Sequence, residues 1–239
     1  MADEITDIWV YLATSPLLAL TLTLVAYQIV HEIWSRIERP ALLNPVLISV
    51  LIIVSVLVAT ETSYDTYFEG AQFIHFLLGP ATVALAIPLY RQFDRIKANK
   101  VAIAASLAAG SITGIGSGLL CAAVFGIDRI GFVSIAPKSV TAPVAMGIVE
   151  RIGGLPSLTA VLVIVTGIIG AALGPALLNL IGVKDAPARG MALGVGSHGI
   201  GTARALQESE AAGAFSGLAM GLNALATAIL VPVVFWMFF

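Results

Sequence analysis

The chain has 239 residues, 59% of them hydrophobic and only 11% charged, with a mean hydropathy of +1.00 and a formal net charge of −2. A soluble domain carries about 25% charged residues, so the composition excludes that class and marks an integral membrane protein. No basic face suggests a nucleic-acid partner, and the single Cys121 leaves no disulfide and no cysteine-built metal site.

The N-terminus, MADEITD, is acidic and lacks the basic n-region of a cleaved signal peptide. The first apolar run is therefore expected to stay in the mature protein. It extends from about Trp9 to Val30, with Trp9 and Tyr11 at one end and Trp34 beyond the other, an arrangement like an interfacial aromatic belt. The next loop carries Arg36 and Arg39. A second span covers about Leu42–Thr60, followed by an acidic loop with Glu61, Asp65 and Glu69. A third, about Ala71–Tyr90, contains Gly79-Pro80 and Pro88 and leads into the basic linker Arg91–Lys100. The Lys/Arg bias places Arg36/Arg39 and Arg91–Lys100 in the cytoplasm, and the N-terminus and the acidic loop outside.

The fourth span, about Val101–Phe125, carries Gly110, Gly114 and Gly118 on one helix face, a spacing that lets a neighbouring backbone approach. A polar stretch follows, Ile135–Gly154, then an apolar run, Leu155–Ile181. After the linker Gly182–Arg189 come a second polar stretch, Gly190–Glu210, and a last apolar run, Gly213–Phe239, ridged by Gly213, Gly217 and Gly221. Ile135–Gly154 either crosses fully or enters and returns; Lys184 and Arg189 favour a cytoplasmic Gly182–Arg189 loop and hence a re-entrant or broken element. Setting Pro80 on Pro137 also pairs Thr82 with Ser139, Val83 with Val140 and Gly110 with Gly167. Interrupted segments at corresponding positions point to internal, inverted repeats and to a transporter's binding site. The expected fold is an all-α, polytopic transmembrane bundle with broken or re-entrant helices, forming one domain over residues 1–239.

Two stretches carry the chemistry. In Ile135–Gly154, Lys138, Ser139 and Thr141 stand behind Pro137; in Gly194–Leu206, reading GVGSHGIGTARAL, Ser197, His198, Thr202 and Arg204 stand among glycines. Irregular backbone at membrane depth survives only where protein buries it or a cavity solvates it. Proline suits the first turn of a helix, and Pro80 and Pro137 are read in that role. Free N–H groups at helix starts form an anion site, to which Lys138 adds an ammonium, Ser139 and Thr141 hydroxyls, and Arg204 a bidentate guanidinium. Ser197 or Thr202 is expected to cap a helix running on through Arg204 to Glu210. Thr82 and Asn223 complete the candidate substrate-binding set. Other readings stand beside these: Arg204 pairs with Glu208 four residues on, Lys138 snorkels to an interface, His198 is a buried neutral histidine rather than a proton carrier, and Asn223 is a helix–helix hydrogen-bond partner. No acid stands near Ser197-His198, and there is no GxSxG, HExxH or P-loop motif, so neither an enzyme nor a cofactor is expected.

The segments FLLGPATVALAIPLY (Phe76–Tyr90), APKSVTAPVAMGI (Ala136–Ile148), GSHGIGTARAL (Gly196–Leu206) and GAFSGLAMGLNALATAILVP (Gly213–Pro232) resemble the LrgB/CidB family of bacterial membrane proteins. The resemblance covers essentially the whole chain. It implies a holin/antiholin-like role in murein hydrolase activity and lysis beside a small LrgA/CidA-type membrane partner. For plant relatives that look like plastidial glycolate/glycerate translocators, and bacterial ones tied to pyruvate uptake, it implies carboxylate transport. Any LrgA-like partner is expected as a separate polypeptide. Joined to the polar stretches, this gives a multi-pass protein of the cell membrane, expected as a homodimer. It would carry glycolate, glycerate, pyruvate or lactate by alternating access, with lysis control as the alternative.

Overall fold

The computed structural model describes residues 16–37, 45–77, 80, 83–84 and 86–238, and among them regular structure is entirely helical. The helices are α1 (Pro16–Arg36), α2 (Pro45–Ala59), α3 (Tyr64–Phe76), α4 (Ala86–Arg91), α5 (Phe93–Ala98), α6 (Lys100–Val124), α7 (Arg129–Ile135), α8 (Ala142–Ile152), α9 (Pro156–Leu180), α10 (Ala186–Glu208) and α11 (Glu210–Phe238). Of these, α1, α6, α9 and α11 are long and apolar enough to cross a membrane. The all-α, polytopic expectation is met. One detail differs: the basic linker Arg91–Lys100 is itself helical as α5. The expected third span, Ala71–Tyr90, falls partly outside the described residues.

The chain divides into two compact units, Met1–Ala84 and Leu85–Phe239. In the first, α1 packs on both α2 and α3. Gly70 of α3 lies against the Pro16 carbonyl, and Thr23 Oγ1 stands 2.7 Å from the Tyr67 hydroxyl.

The second unit is built from α6, α9 and α11 and two short hairpins that enter between them. The first hairpin is α7, a non-helical tip and α8. Asp128 caps α7, accepting from Gly131 N at 2.9 Å. The helix stops after Ile135, next to Pro137, which has no N–H for the ladder; helix resumes at Ala142, with Thr141 as N-cap and a proline in the first turn. That proline is Pro143. Pro137 lies buried in the tip, so its reading as a first-turn residue is corrected. The chain has turned back on itself: Gly154 packs on Val133, and Leu155 N donates to Ser134 Oγ at 2.9 Å.

The second hairpin lies within α10, whose helical path breaks at one residue, His198, with φ 42° and ψ −131°. Contacts along α11 give its course. Going in, Gly190 lies on the Ala212 carbonyl, Gly194 on the Ser216 carbonyl, and Val195 O reaches Asn223. Going out, Gly199 faces Met220, Thr202 meets Ser216, and Leu206 lies on Gly213. The inward arm thus runs along α11 in one direction and the outward arm in the other. Gly201 admits this tight reversal, since a side chain there would strike the Leu193 carbonyl and Ser197 Cβ. At the open end Arg189 and Glu208 form a bidentate pair, Nε–Oε2 at 2.7 Å and Nη2–Oε1 at 3.0 Å. Arg189 Nη1 also donates to Asn179 Oδ1 and the Val183 carbonyl.

The hairpins enter from opposite ends. Val133 and Val149 of the first share a core with Ile115 in the second half of α6 and with Val231 and Phe235 near the end of α11. Met191 of the second packs on Ile103 and Phe215, near the starts of those same helices. The polar stretches are therefore re-entrant. The repeat also extends beyond the pairs seen in the sequence: the Pro80–Pro137 spacing recurs between the caps Asp128 and Asp185, and between the mid-helix prolines Pro175 and Pro232.

Candidate functional site at the hairpin tips

The two tips meet the long helices near mid-length. At the first, Lys138 turns inward: its Nζ donates to the Gly114 carbonyl of α6 at 2.5 Å. A side chain at Gly118 would press on that ammonium, 2.5 Å from where its Cβ would lie. The α6 glycines are thus what lets a lysine reach the helix backbone. An ammonium has three donors; among the described residues no carboxylate pairs with Lys138. Ser139 Oγ lies 3.5 Å from the Cβ position of Gly114, and Thr141 caps α8 by position without a side-chain bond. Lys138 does not snorkel outward.

At the second tip, Ser197, His198 and Thr202 are buried. His198 Nε2 lies 3.0 Å from Val163 O, and a carbonyl partner makes that nitrogen the protonated one. Gly167 provides the room, since its Cβ would sit 2.7 Å from His198 Cε1. Thr202 Oγ1 donates to His198 O at 2.9 Å and stands 3.0 Å from Ser216 Oγ. It bonds back to a carbonyl instead of accepting a helix N–H, so its expected capping role is corrected. Ser197 packs against Gly170 of α9.

Asn223 of α11, 1% exposed, connects the tips. Its Oδ1 accepts from Ser111 Oγ at 2.6 Å, and its Nδ2 donates to Ser139 O at 3.1 Å and Val195 O at 3.2 Å. Val163 of α9 is shared as well: it packs with Val140 of the first hairpin while its carbonyl meets His198 of the second. A cleft of about 430 Å³ runs beside the inward arm of α10, lined by Ser106, Thr113 and Gly114 of α6 and by Ala188, Ala192 and Gly196.

Arg204 is not brought to the tips. It lies six residues past His198, about 9 Å along the outward arm at 1.5 Å per residue, and its Nη1 donates to Gln207 Oε1 at 3.0 Å in exposed surroundings. The alternative Arg204–Glu208 pair is also corrected, since Glu208 is held by Arg189. Thr82 lies outside the described residues. Sequence reasoning missed Ser111, Ser216 and the Arg189–Glu208 clasp. The clasp had a readable signal: opposite charges flanking a glycine-broken apolar stretch, at distances that match only if the stretch folds back.

An all-α, polytopic membrane protein whose re-entrant hairpins meet inside the bundle is the class these features define. The chain belongs to the LrgB-like family, which matches residues 23–237. It is 39% identical over 222 residues to the uncharacterized protein YxaC of Bacillus subtilis, covering 93% of this chain and 96% of that one. It is 35% identical over 222 residues to the holin-like protein CidB of Staphylococcus epidermidis, with the same coverage. With CidB of Staphylococcus aureus it shares 34% identity over 223 residues, 93% of this chain and 97% of the relative. No solved structure matches the chain.

Proposed function

We propose that the Leu85–Phe239 unit carries small monocarboxylates of the glycolate, glycerate, pyruvate or lactate type across the bacterial plasma membrane, exposing the hairpin tips alternately to its two sides. The observation that carries this reading is that oppositely entering hairpins, with broken backbone at their tips, are joined at mid-bundle through Asn223. Discontinuous helical elements near the bilayer midplane are where carriers bind solutes. Lys138, Ser139 and the start of α8 supply positive charge and donors for a carboxylate, and Ser197, His198 and Thr202 supply the opposite wall. Arg204 is left out of this contact set. The end bearing Arg95, Lys97, Lys100 and Lys184 faces the cytoplasm by its charge, so the α6–α10 cleft opens on that side; the same rule puts the N-terminus outside. No covalent chemistry is assigned to the chain.

The CidB relatives are holin-like proteins by name, which favours a second reading directly: a holin-like protein. An LrgA/CidA-type membrane partner beside it is part of that proposal. A homodimer is compatible with both. Purified protein in liposomes separates them. A carrier accumulates or exchanges labelled glycolate, glycerate or pyruvate while retaining fluorescent dextran, and loses flux in Lys138→Ala. A holin-like protein releases dextran, and the Lys138 substitution leaves release unchanged. Dextran release without carboxylate exchange overturns the carrier reading.

A further inference from the structure

We infer that Asn223 is a two-sided latch rather than a substrate ligand: each of its amide hydrogens holds one hairpin tip, so that either hairpin opens by giving up one Asn223 bond while the other hairpin keeps its own. The inference rests on the carrier reading above for its purpose, but not for its test.

Ser139 O lies in the non-helical tip between α7 and α8, and the residue four on is Pro143, which has no N–H to offer it. Val195 O lies three residues before the break at His198. Buried carbonyls need donors. One side chain on a third helix supplies both, through Nδ2 contacts of 3.1 and 3.2 Å. An amide nitrogen has two hydrogens, so donation to the tips is complete and none remains for a solute.

Ser111 Oγ, donating to Oδ1 at 2.6 Å, fixes which way the amide faces. A reversed amide would point its oxygen at two carbonyls. The tips belong to hairpins whose open ends lie at opposite ends of the unit. Of the two Asn223 bonds, withdrawal of the first hairpin toward its own end breaks the Ser139 bond alone, and withdrawal of the second breaks the Val195 bond alone. Asn223→Asp keeps the shape but faces both carbonyls with a carboxyl oxygen, which releases both tips together.

The test uses the full chain with Cys121→Ser and one reporter cysteine at a time. Ser197→Cys, at a position 2% exposed, reports the second tip, and Thr141→Cys reports the first. Gly147→Cys, on the exposed face of α8 where a Cβ meets nothing within 4 Å, is the reference. Membrane-impermeant maleimide is added to vesicles of each orientation, without substrate. Asn223→Asp and Asn223→Ala are each expected to raise labelling at both tips about ten-fold relative to Gly147→Cys. Asn223→Ala covers the case in which the charged variant does not fold. A merely structural asparagine loosens everything, so an equal rise at all three sites overturns the latch, as does no rise at the tips. Carboxylate flux is measured separately, so failure of the carrier reading leaves the labelling result standing.

Discussion

Replacing His198 by glycine and by alanine tests the hairpin reversal itself. His198 has φ 42° and ψ −131°, near the first central position of a type II′ turn, which glycine favours. A residue with a Cβ held there costs about 1–3 kcal/mol. Its ring contributes the Nε2 contact to Val163 O at 3.0 Å, about 1 kcal/mol net. Both substitutions remove the ring, and only glycine also removes the backbone cost. His198→Gly is therefore expected to be about 1–3 kcal/mol more stable than His198→Ala. In a continuous helix the order inverts, with alanine ahead by about 1 kcal/mol. Thermal unfolding in detergent reads the difference, since 1 kcal/mol moves the midpoint of a chain this size by about 2–4 °C. A midpoint for the alanine variant equal to or above that of the glycine variant would refute the reversal, and with it the assignment of α10 as re-entrant.

Gly167→Ala is expected to push the imidazole off Val163, because the new methyl would lie 2.7–2.8 Å from ring atoms; a changed histidine signal in NMR, with helicity retained by circular dichroism, checks it. Arg189→Met is expected to cost about 2 kcal/mol by stranding Glu208, and Arg189→Met/Glu208→Leu together less than that; unchanged stability in the single variant would deny the clasp any part in holding the hairpin. Gly190→Val is expected to separate α10 from α11, because its side chain meets the Ala212 backbone carbonyl, which has no rotamer with which to yield; loss of purifiable folded protein, with Gly196→Ala as a tolerated control, is the readout.

The long helices were readable from the sequence because apolar length is a local property: α6 and α9 lie within one residue of the spans drawn from composition. The hairpins were only half readable. Proline and glycine marked where helix must fail, but not whether the chain continued or returned, since that depends on which surfaces it meets. Gly190, Gly194 and Gly201 decide the matter through contacts with Ala212, Ser216 and Leu193 that no local rule supplies. Lys138 and His198 stand out in the sequence because their types are costly at membrane depth, and in the structure Lys138 meets the Gly114 carbonyl and His198 is buried. Arg204 was drawn in by the same logic. It is excluded by register, six residues along a helix that leads back out.

Of the helices described in the second unit, α11 is the last to be synthesised, yet it supplies the surface along which α10 reverses, the asparagine between both tips, and the Val231 and Phe235 packing under the first hairpin. Neither hairpin has a complete bed until that segment has emerged and been inserted. Membrane insertion and tertiary folding are therefore separate events for this chain: the earlier spans can be threaded through the bilayer one by one, while the two short elements wait, incompletely docked, for the final helix to close around them.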